Sequence, residues 1–465
     1  MVIFAVGIAV LALNVPCETA RRELIVAHMQ TATGWQSLRA SGYSAQRMFE
    51  ARDASAAARA GLDRFVLIDA GGELPGLIIE RLLKHPEVIA AESDGAVRAC
   101  EHIPNDPEFG RQLSLRNSGQ MVGGTSGVIG ADINAAQAWE ISTGSAQVVI
   151  AILDTGVSST HPDLSGKILA GRNFLGSDPG AWEDENGHGT HSAGIAAARS
   201  DNGIGVTGVC WNCELVVARV LDAQGVGTWS GVAAAIVWAA DQDLVRVILL
   251  NLGGTATDAA TLAAVNYAAG QGKMLVAAAG NTNGADILFP ARFENCIAVS
   301  ATDHRDRLAG FSAQGSAMDL AAPGTEVLSS FGSRVMGDSY AVLSGTSMAA
   351  PHVAGLAGLV WSINPALTAA RVRHILESTA KDLGAQGRDV QFGAGRIDGG
   401  RAAFVARASL CAADINLDGE LDFFDYLDFV ALFSVGDRDS DFNADGTIDL
   451  FDYLDFTMAF GAGCN

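Results

Sequence analysis

Three short segments carry residue types that together make a reaction. They are Asp154 in AILDTGV, His188 in NGHGTHSAG and Ser347 in LSGTSMAAPH. A hydroxyl becomes a useful nucleophile when a neutral imidazole can take its proton and a buried carboxylate holds that imidazole in one tautomer. The chemistry implied is acyl transfer through a covalent serine ester. Ser347 follows Thr346 and Gly345 and opens an apolar helical run, so its hydroxyl belongs at a helix N-terminus, where unpaired backbone N–H groups can meet a developing oxyanion. His188 and His191 are spaced i, i+3, which is not the HExxH spacing of a zinc hydrolase, and His191 is expected to face the packed side of its helix.

The elements that must position these residues are legible as apolar runs. QVVIAILD, CELVVARV, VRVILLNL, KMLVAAAG and CIAVSAT read as strands, and Ala- and Gly-rich stretches between them, such as WSGVAAAIVWAAD and SMAAPHVAGLAGLVWSI, read as helices. Near-continuous apolar strands alternating with helices predict an α/β body around residues 130–405, with a mostly parallel sheet covered on both faces. Asp154 and Asn281 then sit where strands end, the side of such a sheet on which ligands bind. Before it, residues 21–100 read as a small α+β unit, with strands at ELIVAH, RFVLIDA and VIAAES and a helix in LPGLIIERLLKHP.

A second chemistry is written in the tail. DINLDGELDFFDYLDF and DFNADGTIDLFDYLDF repeat at a spacing of 27 residues. Each places oxygen ligands at loop positions 1, 3, 5, 9 and 12, with glycine at 6 and a backbone carbonyl at 7. The first set is Asp414, Asn416, Asp418, Glu420, Asp422 and Asp425; the second is Asp441, Asn443, Asp445, Thr447, Asp449 and Asp452. This is a calcium loop followed by a helix, ending in Asp where Glu is usual. The formal net charge is -22, and residues 411–465 hold 13 acidic residues against the single Arg438. Such a surface repels nucleic acid and suits divalent cations.

Residues 1–20 begin with the apolar run MVIFAVGIAVLAL, which is short for a membrane span and reads as the core of a signal peptide; a buried strand of the first unit is the alternative. Cys411 and Cys464 bracket the tail and are placed to join its ends. Cys210 and Cys213 form one CxxC without a matching pair, which favours a local disulfide or two free thiols over zinc.

The order Asp, His, Ser, with the full strings HGTHSAG and GTSMAAPHVAG, resembles the subtilisin-like serine proteases, and PNDPEFGRQ resembles the mature start of thermitase-like members. The resemblance implies a subtilisin-like three-layer catalytic domain over 101–405, an inhibitory propeptide over 21–100 that assists folding and is removed by self-cleavage, and secretion. It implies that Asn281, ending VAAAGN, donates its amide to the oxyanion, and that peptides bind by strand addition between Leu250, Asn251, Leu252, Gly253 and, opposite, Gly225 and Gly227. The family reads SLGG where this chain has Asn251, so a serine is replaced. Ala279, Gly280 and Thr282 are implied to line the first pocket, with Leu288 near a floor where glycine is common, and Trp229 to shape a more distant one. A neutral, shallow pocket for small or apolar residues follows. One calcium site is implied at Asp106, Asp163, Asn202, Ile204 and Val206. The tail, 411–465, resembles a dockerin, a small all-α calcium-folded module that attaches enzymes to a cohesin-bearing scaffold or a cell surface.

Two functions from different classes therefore compete. One is a secreted or cell-surface, calcium-stabilised serine endopeptidase acting on proteins and peptides, made as a zymogen, with three calcium ions and no organic cofactor. The other is a catalytically inactive protease fold that binds through its tail. Intact Asp154, His188, Ser347 and Asn281 favour the enzyme.

Overall fold

The computed structural model describes residues 24–49, 54–70, 75–93, 102–410, 413–415, 421–437, 440–442 and 447–463. The apolar start and Cys17, Cys100, Cys411 and Cys464 lie outside them, as do the tail residues Asn416, Asp418, Glu420, Asn443 and Asp445. The chain divides into two compact units, Met1–Cys100 and Glu101–Asn465. Among the described residues no helix is long and apolar enough to cross a membrane.

In the first unit, strands β1 (Leu24–Met29), β2 (Ser44–Arg47), β3 (Phe65–Asp69) and β4 (Val88–Ser93) form an antiparallel sheet in the order β2-β3-β1-β4. Alternate residues Ile25, Ala27 and Met29 of β1, with Val66 and Ile68 of β3, point into one core. Leu38 from the helix Gly34–Ala40 and Ile78 and Leu82 from the helix Pro75–Leu82 close it. The short polar strand β2, SAQR, buries only one residue, which is why it carries no apolar signal.

The second unit opens with a small hairpin, β5 (Met121–Val122) and β6 (Thr125–Ser126). Its body is a seven-stranded parallel sheet. The strands are β7 (Val149–Asp154), β8 (Ile168–Asn173), β9 (Glu214–Arg219), β10 (Val245–Leu250), β11 (Met274–Ala278), β12 (Cys296–Thr302) and β13 (Leu320–Pro323), in the order β13-β12-β11-β10-β7-β9-β8. Ile150 and Ile152 of β7 face one core with the helices His188–Ala197 and Thr346–Ile363; Val149, Ala151 and Leu153 face another, with the helices Trp229–Ala240 and Ala259–Gly270. Both faces are buried, so the strands read as unbroken apolar runs. The edge strand β8, ILAGRN, is half-exposed and carries Gly, Arg and Asn, so no such run marks it. An antiparallel hairpin, β14 (Val327–Ser333) and β15 (Gly337–Leu343), packs against the helix His188–Ala197.

The sheet order places the topological switch between β7 and β10: from β7 the chain builds outward to β8 and β9 on one side, then crosses to β10 on the other. The crevice beyond the carboxyl ends of those two strands is where such sheets bind ligands. The helix His188–Ala197 comes very close to it. A Cβ on Gly189 would stand 2.0 Å from the Gly156 carbonyl oxygen, and Gly187 caps the helix at φ 105°. The glycines around His188 therefore let the imidazole reach the tip of β7. In the turn entering β9, Cys210 and Cys213 are joined as a buried disulfide, which answers the CxxC in favour of a local cross-link over zinc.

Candidate active site

Asp154 is the last residue of β7 and is fully buried. Its Oδ1 accepts from His188 Nδ1 at 2.7 Å and from the Thr155 backbone N–H at 2.7 Å, while Oδ2 accepts from Ser192 Oγ at 3.1 Å. The imidazole is thereby oriented with Nε2 away from the carboxylate. Burial alone would push the His188 pKa down, but the charge and hydrogen bond of Asp154, with the charge of Asp184, outweigh it and hold the value above the ordinary 6.5.

Asp184 is not among the residues singled out from the sequence and proves central to the loop before His188. Fully buried, it accepts through Oδ1 from Thr155 Oγ1 and from the backbone N–H groups of Asn186 and Gly187, and through Oδ2 from the backbone N–H and hydroxyl of Thr190. An acidic residue four positions before a helix-opening histidine was the available clue. His191 is fully buried and its pKa is pushed down by burial to about 3, so it stays neutral; its Nε2 lies 3.2 Å and 3.1 Å from the carbonyls of Val327 and Ala341. It fastens its helix to the β14–β15 hairpin.

Ser347 is the second residue of the helix Thr346–Ile363 and lines, with His188 and Asn281, one cleft of about 670 Å³. The Asn281 amide has a fixed sense: its Oδ1 accepts from Thr346 N at 3.0 Å and Thr346 Oγ1 at 3.1 Å, and that hydroxyl accepts from Gly280 N at 3.1 Å. The carbonyl side is occupied, which leaves Nδ2 as the amide's donor.

Gly225, Gly227, Trp229, Asn251, Leu252, Gly253 and Gly280 line the cleft, together with Thr155, Asn186 and Leu221, which the sequence did not single out. Leu250, from the strand-addition segment, and Ala279 and Thr282, from the first pocket, are not among the residues lining this cleft. Leu250 and Ala279 are buried in the core, and the Thr282 hydroxyl turns back to the Ala285 carbonyl at 2.8 Å. Leu288 fills the space between the two pocket walls: a Cβ on Gly253 or Gly280 would stand 3.0 Å or 2.6 Å from its side chain. Paired backbone bonds between Gly254 and Phe289 join those walls.

The residues expected to hold calcium divide into two groups. In the body, Asp163 is fully buried; its Oδ2 accepts from Val206 N at 3.1 Å and its Oδ1 is buried with no hydrogen-bond partner. Burial, with the nearby charge of Asp106, raises its pKa despite the Val206 bond. Asp106 accepts from the N–H groups of Asp201 and Asn202 and from Thr207 Oγ1, and Asn202 Oδ1 accepts from Ile204 N. Among the described residues no group of three or more His, Cys, Asp or Glu side chains gathers as a metal site, and the feature here that suits a hard cation is the one buried Asp163 oxygen without a hydrogen-bond partner. In the tail, Asp422 and Asp425 form a reciprocal capping box on the helix Phe423–Val435, and Asp449 and Asp452 do the same for Leu450–Ala462. Phe429 and Phe456 stack between the two helices at 3.9 Å, and the Tyr426 and Tyr453 hydroxyls meet at 2.8 Å.

Residues 145–395, more than half of the chain, match the model of the subtilase family. The chain belongs to that family. It is 42% identical to thermitase of Thermoactinomyces vulgaris over 301 residues, spanning 65% of this subtilase and 99% of thermitase. It is 39% identical to halolysin of Haloferax mediterranei, over 70% of this chain and 59% of halolysin. Among solved structures, a protease of Pseudoalteromonas arctica superposes with a TM-score of 0.59 at 32% identity, covering 65% of this chain and 99% of that one. The subtilase is a subtilisin-like serine endopeptidase and a secreted protein.

The loop ahead of His188 gives a direct test of Asp184. Asp184→Asn turns one acceptor into a donor facing N–H and O–H groups, so a loss of about 1–3 kcal/mol is expected. Thermal unfolding of the variant checks it; an unchanged unfolding temperature contradicts the clamp.

Proposed function

We propose that this subtilase hydrolyses peptide bonds with Ser347 as nucleophile, His188 as general base and acid, Asp154 as its orienting carboxylate and Asn281 as an oxyanion donor, and that it matures by removing residues 21–100. The observation that carries the reading is the 2.7 Å bond from His188 Nδ1 to the buried Asp154, in a cleft that Ser347 also lines. Ser347 Oγ attacks the scissile carbonyl carbon and passes its proton to His188 Nε2. Asp154 and Asp184 favour the imidazolium so formed. The oxyanion meets Asn281 Nδ2 and the Ser347 backbone N–H; in related enzymes, loss of one such donor costs about 3–4 kcal/mol. Collapse breaks the C–N bond as His188 protonates the leaving amine, and water then hydrolyses the ester by the same route.

Expressed with calcium, the wild type is expected to lose roughly its first hundred residues and digest casein, whereas Ser347→Ala stays full length and inactive. Intact mass and N-terminal analysis read the difference. Two folded, full-length, inactive proteins would sink the reading and favour an inert binding fold.

Leu288, wedged between Gly253 and Gly280, makes the first pocket shallow and neutral, suited to alanine-sized residues before the cut. Leu288→Gly is then expected to raise kcat/KM for phenylalanine over alanine by about tenfold or more, because the deepened pocket can bury the larger apolar side chain. An unchanged ratio excludes Leu288 as the floor.

Calcium would be held by Asp106, Asp163, Asn202 and the carbonyls of Ile204 and Val206, and by the two tail loops. Bound there, it neutralises buried carboxylates and cross-links their loops. A chelator is expected to lower the unfolding temperature of the Ser347→Ala protein by several degrees, as for any ligand that binds only the native state. No shift would contradict a structural role for calcium.

A further inference from the structure

We infer that Asn251 is a positioning residue that ties the Asp154 carboxylate to the backbone of the nucleophile; this rests on the proposed roles of Asp154, His188 and Ser347. Three observations carry it. The first is a gap in the helix Thr346–Ile363. Pro351 stands four residues after Ser347 and has no N–H, so the Ser347 carbonyl lacks its helical donor. Asn251 Nδ2 supplies one, at 3.1 Å.

The second is the other hydrogen of the same amide. Nδ2 also lies 2.7 Å from Ser192 Oγ, and Ser192 Oγ lies 3.1 Å from Asp154 Oδ2 and 3.0 Å from the His188 carbonyl. Because Asn251 donates into the Ser192 oxygen, the single hydroxyl proton of Ser192 is left for the Asp154 carboxylate or the His188 carbonyl, and the charged oxygen is the stronger acceptor. A line runs from the Ser347 carbonyl through Asn251 and Ser192 to Asp154, on the side of the carboxylate that His188 leaves open.

The third is placement. Leu250 pairs with Leu153 across β10 and β7, so Asn251 follows directly beside Asp154 at the switch point of the sheet. Asn251 is 3% exposed, and its Oδ1 is buried without a hydrogen-bond partner. The Ser347 carbonyl can only accept, so the amide must present Nδ2 to it, and the orphaned oxygen is the consequence. A serine, the residue that the family motif has at this position, carries one hydroxyl proton and cannot donate to both neighbours. The substitution noted in the sequence thus adds a connection.

The test compares wild type, Asn251→Ala, Asn251→Ser, Ser192→Ala and the double Ser192→Ala/Asn251→Ala. All are assayed on a peptide p-nitroanilide with alanine before the cut, with kcat expressed per titrated active site. A purely structural role leaves kcat per site unchanged. The line predicts that Asn251→Ala lowers it by about 10- to 100-fold with KM within about twofold, a size typical of small misplacements of reacting groups. The double variant is expected to be no worse than the poorer single one, because both break the same line. Asn251→Ser, able to make one of the two bonds, falls between. Should Asn251→Ala fail to mature, Ser192→Ala breaks the line without touching the Ser347 carbonyl and must show the loss by itself. Wild-type kcat per site in Asn251→Ala, or a rise in KM alone, overturns the inference. A wild type that titrates no site overturns it together with the proposed triad.

Discussion

The short contact between Asp154 Oδ1 and His188 Nδ1 joins a carboxylate with no exposure to an imidazole at the rim of a cleft, and much of the surrounding structure exists to make that contact tolerable. A carboxylate moved out of water demands hydrogen bonds on both oxygens. Here Thr155 and Ser192 supply those that His188 does not. Burial opposes charge on the imidazole as well. The paired carboxylates of Asp154 and Asp184 outweigh it, and they are brought together by the turn after β7 and the loop before the helix.

The fold converts this local demand into a cleft. Parallel strands buried on both faces bring Asp154, Asn251 and Asn281 to one end of the sheet, and the switch between β7 and β10 opens a crevice there. Two helices enter it by their N-termini, one carrying His188 and the other Ser347, so backbone donors face the place where negative charge would develop. Gly189 permits the close approach of the first, and the Thr346–Asn281 bonds fix the amide beside the second.

The sheet and the reacting groups were legible because their signals are dense: five apolar runs, three motif strings and a strand-ending asparagine. What was hidden had weak or shared signals. The edge strand β8 is half polar, the four-residue β13 gives too short a run, and the β14–β15 hairpin shows little beyond Gly337, which closes its turn at φ 75°. Asp184 looks like any loop acid until its five donors are seen together. Leu250 and Ala279 turn their side chains into the core, while their neighbours Asn251 and Gly280 line the cleft, an alternation that a motif string does not display. Asn251 was visible as a departure from a motif, and only the missing N–H of Pro351 explains what its amide meets.

The most direct test is the rate at which a phosphonofluoridate labels the wild-type protein as a function of pH, with the labelled peptide mapped by mass spectrometry. One modified residue, Ser347, is expected, with a labelling rate that falls on acidification through a midpoint above the ordinary histidine value of 6.5, because protonated His188 cannot take the serine proton. Labelling at another residue, or a rate at Ser347 that ignores pH across that range, would contradict the proposed triad.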